Sequence, residues 1–239
     1  MTDFPSEEYP TFEWSPLVKT IVFIIYGVII IFSLVGNTIV IFVILRCKPM
    51  QSITNLFITN LAVSDLLMSL VAAPFTPISS FSNTWVLPQF LCKLLGFTMA
   101  VSVYVSTLSS TAIALDRYMV IVHPFIRKMQ NWMCGVIIAA IWAIATLISL
   151  PLAIYQTTTF DPIENDTICT ESWPSSKSRR IFTILHFVFQ FVAPSIVISF
   201  CYFYVSRLLR NRRQQKLGSR FRNTQKQDLE VRRHNKTNR

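Results

Sequence analysis

The sequence predicts an all-α membrane protein of five spanning helices with its amino terminus outside the cell. Three observations carry this reading. Apolar residues make up 52% of the 239 residues and charged residues 14%, well short of the roughly one quarter charged that a soluble fold carries. The apolar residues fall in uninterrupted runs, each near the roughly 20 residues a helix needs to cross a bilayer. The basic excess sits at one end: residues 1–204 hold 10 Lys/Arg and 10 Asp/Glu, whereas residues 205–239 hold 12 and 2, which accounts for the whole net charge of +10.

The spans are expected over 21–45, 56–75, 91–115 (its apolar run is Leu94–Leu115), 133–154 and 181–205. Within the apolar runs Asp65 and His186 are the only side chains able to carry charge. Each run can be helical in lipid, where every backbone N–H and C=O must be paired inside the segment. Residues 1–20 are acidic, with Asp3, Glu7, Glu8 and Glu13 against Lys19. A cleaved signal would open with basic residues, so the first span reads as an uncleaved anchor behind an extended extracellular tail.

Basic residues flank the cytoplasmic side of membrane helices. The tail 206–239 is therefore cytoplasmic, and an odd number of spans places the amino terminus outside. Arg46, Lys48, Arg127 and Lys128 fall inside, as the rule asks; Lys177, Arg179 and Arg180 fall outside and break it. Ser206–Gln215 is expected to prolong the fifth helix and the remainder, from Gly218, to be disordered. The charge is thus accounted for by topology, and no nucleic acid is implied. The tail reads first as a solvated inner loop; its sharper alternative is contact with anionic lipid, at about 1 kcal/mol per basic residue near the surface.

Several residues ask for a chemical explanation. Asp65 lies inside a span, where a carboxylate is costly and marks function by default. Asn37 in the first span and Ser106 in the third could join it around a small hard cation such as sodium, or a water cluster; a protonated, tolerated acid is the alternative. Asp116-Arg117-Tyr118 ends the third span, 25 residues below Cys92 for Arg117, so that helix runs from an outer cysteine to an inner guanidinium. Cys92 and Cys169 are the only cysteines expected outside, and a disulfide between them would pin the long loop 155–180 across the bundle; two free thiols are the alternative. Asn165-Asp166-Thr167 is a glycosylation acceptor on the outer side, and Asn235-Lys236-Thr237 matches the same pattern inside, where it stays bare. Pro151 and Pro194 interrupt spans, which membrane helices tolerate and bend around. No metal-ligand cluster, phosphate loop or nucleophile beside a base stands out, so neither an enzyme nor a bound cofactor is expected. Inverted repeats and a charged pore lining, which would mark a transporter or channel, are also not visible.

Together these residues resemble the rhodopsin-like (class A) G-protein-coupled receptors. The likeness runs through every span: Gly36-Asn37 with Val40; Asn60-Leu61-Ala62-Val63-Ser64-Asp65; Cys92 and Asp116-Arg117-Tyr118 with Pro124 beyond; Trp142 and Pro151; Pro194 and Tyr202. The resemblance implies a rhodopsin-like helix bundle at the plasma membrane. It implies that Arg117, with Asp116 and Tyr118, engages a heterotrimeric G protein, that Pro124 and Phe125 form the inner loop that docks on it, and that Tyr202 steadies the open state. Asp65, Asn37 and Ser106 are similar to the family's sodium pocket. Members of the family continue into a sixth span with Cys-Trp-x-Pro and a seventh with Asn-Pro-x-x-Tyr; neither stands in these 239 residues, so the chain reads as the first five of seven helices.

Within the family, Ile168-Cys169-Thr170-Glu171-Ser172-Trp173-Pro174 and Ser149-Leu150-Pro151-Leu152-Ala153-Ile154 resemble receptors of the neuropeptide Y/F type. An acidic outer loop with Asp161, Glu164, Asp166 and Glu171 would attract an arginine-containing amidated peptide. Met99 departs from the pattern, standing where neuropeptide Y receptors typically carry a ligand-facing glutamine. Met99 and Glu171 are the ligand-facing candidates. An alternative reading makes the five-span product itself the protein, pairing with other receptor chains and altering their delivery.

Overall fold

A computed structural model describes residues 14–81, 84–124, 129–161 and 166–237. Its elements run α1 (Pro16–Arg46), α2 (Ile53–Leu67), α3 (Thr76–Phe81), α4 (Gln89–Val122), α5 (Asn131–Tyr155), strands β1 (Gln156–Asp161) and β2 (Asp166–Glu171), α6 (Ser176–Phe187) and α7 (Ala193–Thr237). Five stretches are long and apolar enough to span a bilayer: α1, α2 with the wider turn that follows it to Ala72, α4, α5, and α6 joined to α7.

The spans stand where the apolar runs place them, but their ends move, and capping chemistry explains each shift. The extracellular tail loses residues 16–20 to α1, because Pro16 opens the helix and the Ser15 hydroxyl accepts from the backbone N–H of Val18. A hydroxyl cap followed by proline is a strong start signal. The second span begins three residues early, capped by Ser52. It also stops short of Phe75. Pro74 lacks the N–H that a continuing helix needs and collides with the carbonyl one turn back, so Met68–Ala72 widens into a π-helical turn, with Ala73 N–H bonded to the Met68 carbonyl at 2.9 Å, before α3 begins. Pro194 acts the same way in the fifth span. The π-helical turn Val188–Val192 precedes it and links α6 to α7.

Two segments hold more regular structure than the sequence suggested. The segment 155–180, expected only as a long loop, carries regular structure: β1 and β2 pair antiparallel from Gln156–Glu171 to Asp161–Asp166, and α6 starts at Ser176 behind a Ser175 cap. The tail beyond Gly218 is not disordered, since α7 continues to Thr237. That stretch is rich in Arg, Lys, Gln and Leu, all good helix formers, and a single interior glycine costs only about 1 kcal/mol.

The buried core is small and lies between α2, α4 and α5, around Phe57, Val101, Tyr104, Val105, Cys134, Ile141 and Ala145. The central helix is α4, which packs against α2, α5 and α7. Most other apolar side chains face outward, as they must where the surrounding solvent is lipid; Phe32 is 75% exposed.

Candidate functional site

The α2–α4 seam carries a column of polar side chains, each matched by a partner on a neighbouring helix. Its middle is Asp65. Ser106 donates to Asp65 Oδ1 at 3.1 Å and also meets the Ser64 hydroxyl at 2.9 Å. The structure therefore brings together two of the three residues proposed for a cation. Asn37 is not in that set: its amide donates to the carbonyl and hydroxyl of Ser33, on its own helix. It reaches Asp65 only indirectly, because Ser33 bonds Ser69 at 2.6 Å and Ser69 donates to the Asp65 backbone carbonyl. The carboxylate and the two serine hydroxyls are the hard oxygen donors that a small cation takes. Among the described residues, no group of three or more His, Cys, Asp or Glu comes together.

One turn and more toward the cytoplasm, Asn60 ties three helices together. Its amide donates to Ser109 Oγ on α4 at 2.8 Å and accepts from Trp142 Nε1 on α5 at 2.8 Å. Trp142, one of the residues that carry the family resemblance, here completes a hydrogen-bond network across three helices. Tyr104 was missed altogether. It is 1% exposed, and its hydroxyl meets His186 Nδ1 at 3.1 Å, linking α4 to α6.

At the inner end, Asp116 and Arg117 part company. Asp116 Oδ2 accepts from Thr54 on α2 at 2.8 Å, while among the described residues no hydrogen bond or ion pair involves the exposed Arg117 guanidinium. Adjacent helical residues point to different faces, so an acid drawn to α2 leaves the arginine directed elsewhere. Tyr118 lies within ring contact of His123, Phe200 and Tyr204, at centroid distances of 6.1, 6.2 and 6.3 Å. Tyr202, named from the sequence, is 51% exposed and has no ring contact or hydrogen bond among the described residues; Phe200 and Tyr204 are the aromatic partners on α7. Arg212 on the cytoplasmic part of α7 donates to the carbonyl of Ile121 at 3.2 Å. Pro124 is exposed just beyond α4. Phe125 lies outside the described residues.

At the outer end the expected disulfide is present. Cys92, buried near the start of α4, is bonded to Cys169 in β2, with Cα atoms 5.8 Å apart. Trp85 N–H also donates to the Thr167 carbonyl at 2.5 Å, and Gln89 donates to Thr157 at 3.1 Å. The hairpin is thereby pinned over α3 and α4. Beneath it lies a cavity of about 370 Å³ lined by Thr76, Trp85, Gly96, Met99, Gln156 and Ile168 among others. Met99 is among the residues that line this cavity. Glu171 does not line it: its carboxylate accepts from Trp173 Nε1 at 2.8 Å and lies 3.6 Å from Arg179. One of the three outer basic residues that break the charge rule is thus matched by an acid. From Trp173 a file of rings, Tyr155, Trp173, Phe182 and His186, descends to Tyr104 with successive centroids 4.4 to 5.5 Å apart. The acceptor Asn165 lies outside the described residues.

A five-span bundle with a disulfide-pinned outer hairpin, an intramembrane carboxylate and an arginine at its inner mouth defines a seven-transmembrane receptor scaffold. Residues 36–237 match the seven-transmembrane receptors of the rhodopsin family, and the chain belongs to that family; it is a multi-pass protein of the plasma membrane. Its relatives are narrower in kind. The chain is 39% identical over 199 residues to the neuropeptide F receptor of Drosophila melanogaster, an alignment covering 78% of this chain and 41% of that protein. It is 35% identical over 200 residues to the neuropeptide Y receptor type 2 of Gallus gallus, covering 81% and 52%, and 35% identical over 185 residues to galanin receptor type 1 of Homo sapiens, covering 75% and 52%. The chain spans about half the length of these curated relatives.

Proposed function

We propose that this chain forms the outer recognition surface and part of the inner coupling surface of a receptor for an extracellular peptide of the neuropeptide Y/F kind, acting through a heterotrimeric G protein. The observation that carries the reading is the hairpin anchored at Cys92–Cys169, which roofs a cavity at the outer ends of α3 and α4. A rigid rim over a cavity lets a ligand bind without first ordering a loop, an entropic cost that otherwise weakens association. The names of the relatives, all receptors for peptides, support the ligand class.

In this reading the peptide binds under and beside the hairpin, and the change is passed along α4, which runs from Cys92 at the outside to Arg117 at the inside. Arg117, exposed at the inner end of α4, meets the G protein. Asp65, Ser106 and Ser64 hold a sodium ion when one binds, which would favour one arrangement of the α2–α4 seam over another and so bias affinity for the peptide. Expression of the full-length form in cells, challenged with a library of amidated peptides and read by a G-protein activation sensor, tests the reading. A concentration-dependent response to at least one arginine-containing amidated peptide is expected; silence across the library would sink it.

A further inference from the structure

A second cavity lies at the opposite end of α4 from the hairpin. Leu115, Asp116, Met119, Val120 and His123 recur at helical spacing, so they share one face of that helix. With Met133 of α5 and the fully buried Phe57 of α2 they line a cavity of about 310 Å³. Its α4 wall begins at Ala112 and runs to His123, about 16 Å at 1.5 Å per residue. Leu115, Met119 and Val120 are exposed, so in a bilayer the cavity opens to the acyl chains of the cytoplasmic leaflet.

Asp116 is the one acid in this wall, and it is half committed. Its Oδ2 accepts from Thr54 at 2.8 Å, while among the described residues Oδ1 has no hydrogen bond and the carboxylate has no ion pair. Among the described residues no Lys or Arg lines the cavity, Arg117 included. His123, at the cytoplasmic rim, is in ring contact with Tyr118. A carboxylate at the edge of lipid is costly without a partner, and an ionised acceptor makes its shortest and strongest hydrogen bonds with a cationic donor. A mostly apolar cleft with one polar group aimed at it is the usual form of a small-molecule site, and about 300 Å³ is the lower end of that range.

We infer that this cavity binds a single-chain alkyl amine from the cytoplasmic leaflet, its ammonium on the Asp116 carboxylate and its chain along Leu115, Ala112 and Ile137 toward the membrane centre. An alkyl amine is protonated at neutral pH, as lysine is, and an ammonium on a flexible stem keeps its head at the interface while its methylenes cover apolar surface. A fatty acid of the same length would set one carboxylate against another. A fatty alcohol could donate to Asp116 but would bring no charge to it. Because Asp116 also holds Thr54 of α2, a bound amine would touch the α2–α4 contact beside Arg117.

The test uses the full-length protein in lipid nanodiscs and three probes of one chain length, dodecylamine, dodecanol and dodecanoic acid, each with a photoreactive diazirine on the chain. Labelled peptides are mapped by mass spectrometry, and unlabelled dodecylamine is the competitor. The amine should label the α4 and α5 walls saturably, at a concentration roughly 10-fold lower than the alcohol, the worth of one hydrogen bond to a charged group; the acid should label them least. Asp116→Asn keeps an acceptor for Thr54 and the shape of the side chain, and should bring amine and alcohol to parity while labelling continues. Val120→Trp, at an exposed position where added bulk does not disturb the core, should block labelling by all three. Equal labelling by amine and alcohol in wild type, or an amine preference that survives Asp116→Asn, would overturn the site. So would unsaturable labelling spread over every span, which marks ordinary bilayer lipid, or cross-links between two copies of the chain at this face, which would make a second copy the occupant.

Discussion

The α2–α4–α5 seam and the outer roof use hydrogen bonds in opposite ways. In the seam several polar side chains meet a partner on another helix: Ser106 with Asp65, Asn60 with Ser109 and Trp142, Thr54 with Asp116. In the roof the position is fixed by a covalent bond and a two-stranded ladder instead. Lipid offers no hydrogen bonds, so a spanning segment has to complete its own network. The roof lies outside the lipid and is held by its disulfide rather than by such a network.

The largest expected effect breaks the roof. Replacing Cys92 and Cys169 together with alanine frees the hairpin, and removal of a native disulfide typically costs about 2–5 kcal/mol. Peptide affinity should fall by at least 10-fold in saturation binding, while the hydrogen-bonded seam stays folded and the protein still reaches the surface. Loss of folding in the double variant, with the seam disrupted as well, would show that roof and seam are one unit rather than two.

The next effect falls on the seam. Asn60→Leu removes the group that satisfies both Trp142 Nε1 and Ser109 Oγ, leaving a buried indole N–H with no acceptor. A buried unsatisfied group costs about 1–3 kcal/mol, and interhelical bonds in membranes average nearer 0.6. A loss of about 1–2 kcal/mol is therefore expected in detergent-titrated unfolding. A stability equal to wild type would mean that the network orients helices without holding them.

How much of this was readable beforehand depended on whether a feature is local. The spans were readable because apolar length is a property of consecutive residues, and the Cys92–Cys169 bridge because topology leaves only two cysteines outside. The span ends were misplaced although their signals are local: Ser15-Pro16, Pro74 and Ser175 are cap and breaker chemistry inside or beside apolar runs. The hairpin also had a signal, the β-branched run Thr157-Thr158-Thr159 facing Ile168-Cys169-Thr170. Partners were not readable. Whether Glu171 faces a ligand or Arg179, whether Asn37 turns to Asp65 or to Ser33, and whether Tyr104 finds His186 depends on how each helix is rotated about its axis, which an apolar run does not specify.

A smaller effect separates function from stability inside the seam. Asp65→Asn keeps the acceptor for Ser106 but removes the charge that would hold a sodium ion. Peptide affinity in wild type should shift by roughly 5-fold or more between sodium and a large organic cation, the range of ordinary allosteric coupling, and the shift should vanish in the variant. Persistence of the sodium effect in Asp65→Asn would place the cation elsewhere.

The smallest effect is expected on α1, and it sharpens the comparison by supplying its zero. Only 6% of the most apolar stretch of this helix is buried within the protein, against 33% for the second span and 39% for α4. Phe32, on its lipid face, loses mainly contacts with acyl chains when cut to alanine, and those are nearly the same in the unfolded, still-inserted helix. Phe32→Ala should change unfolding stability by no more than about 0.5 kcal/mol, the usual range for sites away from a packed core, despite deleting a far larger side chain than Asn60→Leu alters. A cost for Phe32→Ala above that for Asn60→Leu would show that α1 packs against a surface these contacts do not include, and that side-chain bulk rather than hydrogen-bond completion orders the stability of the bundle.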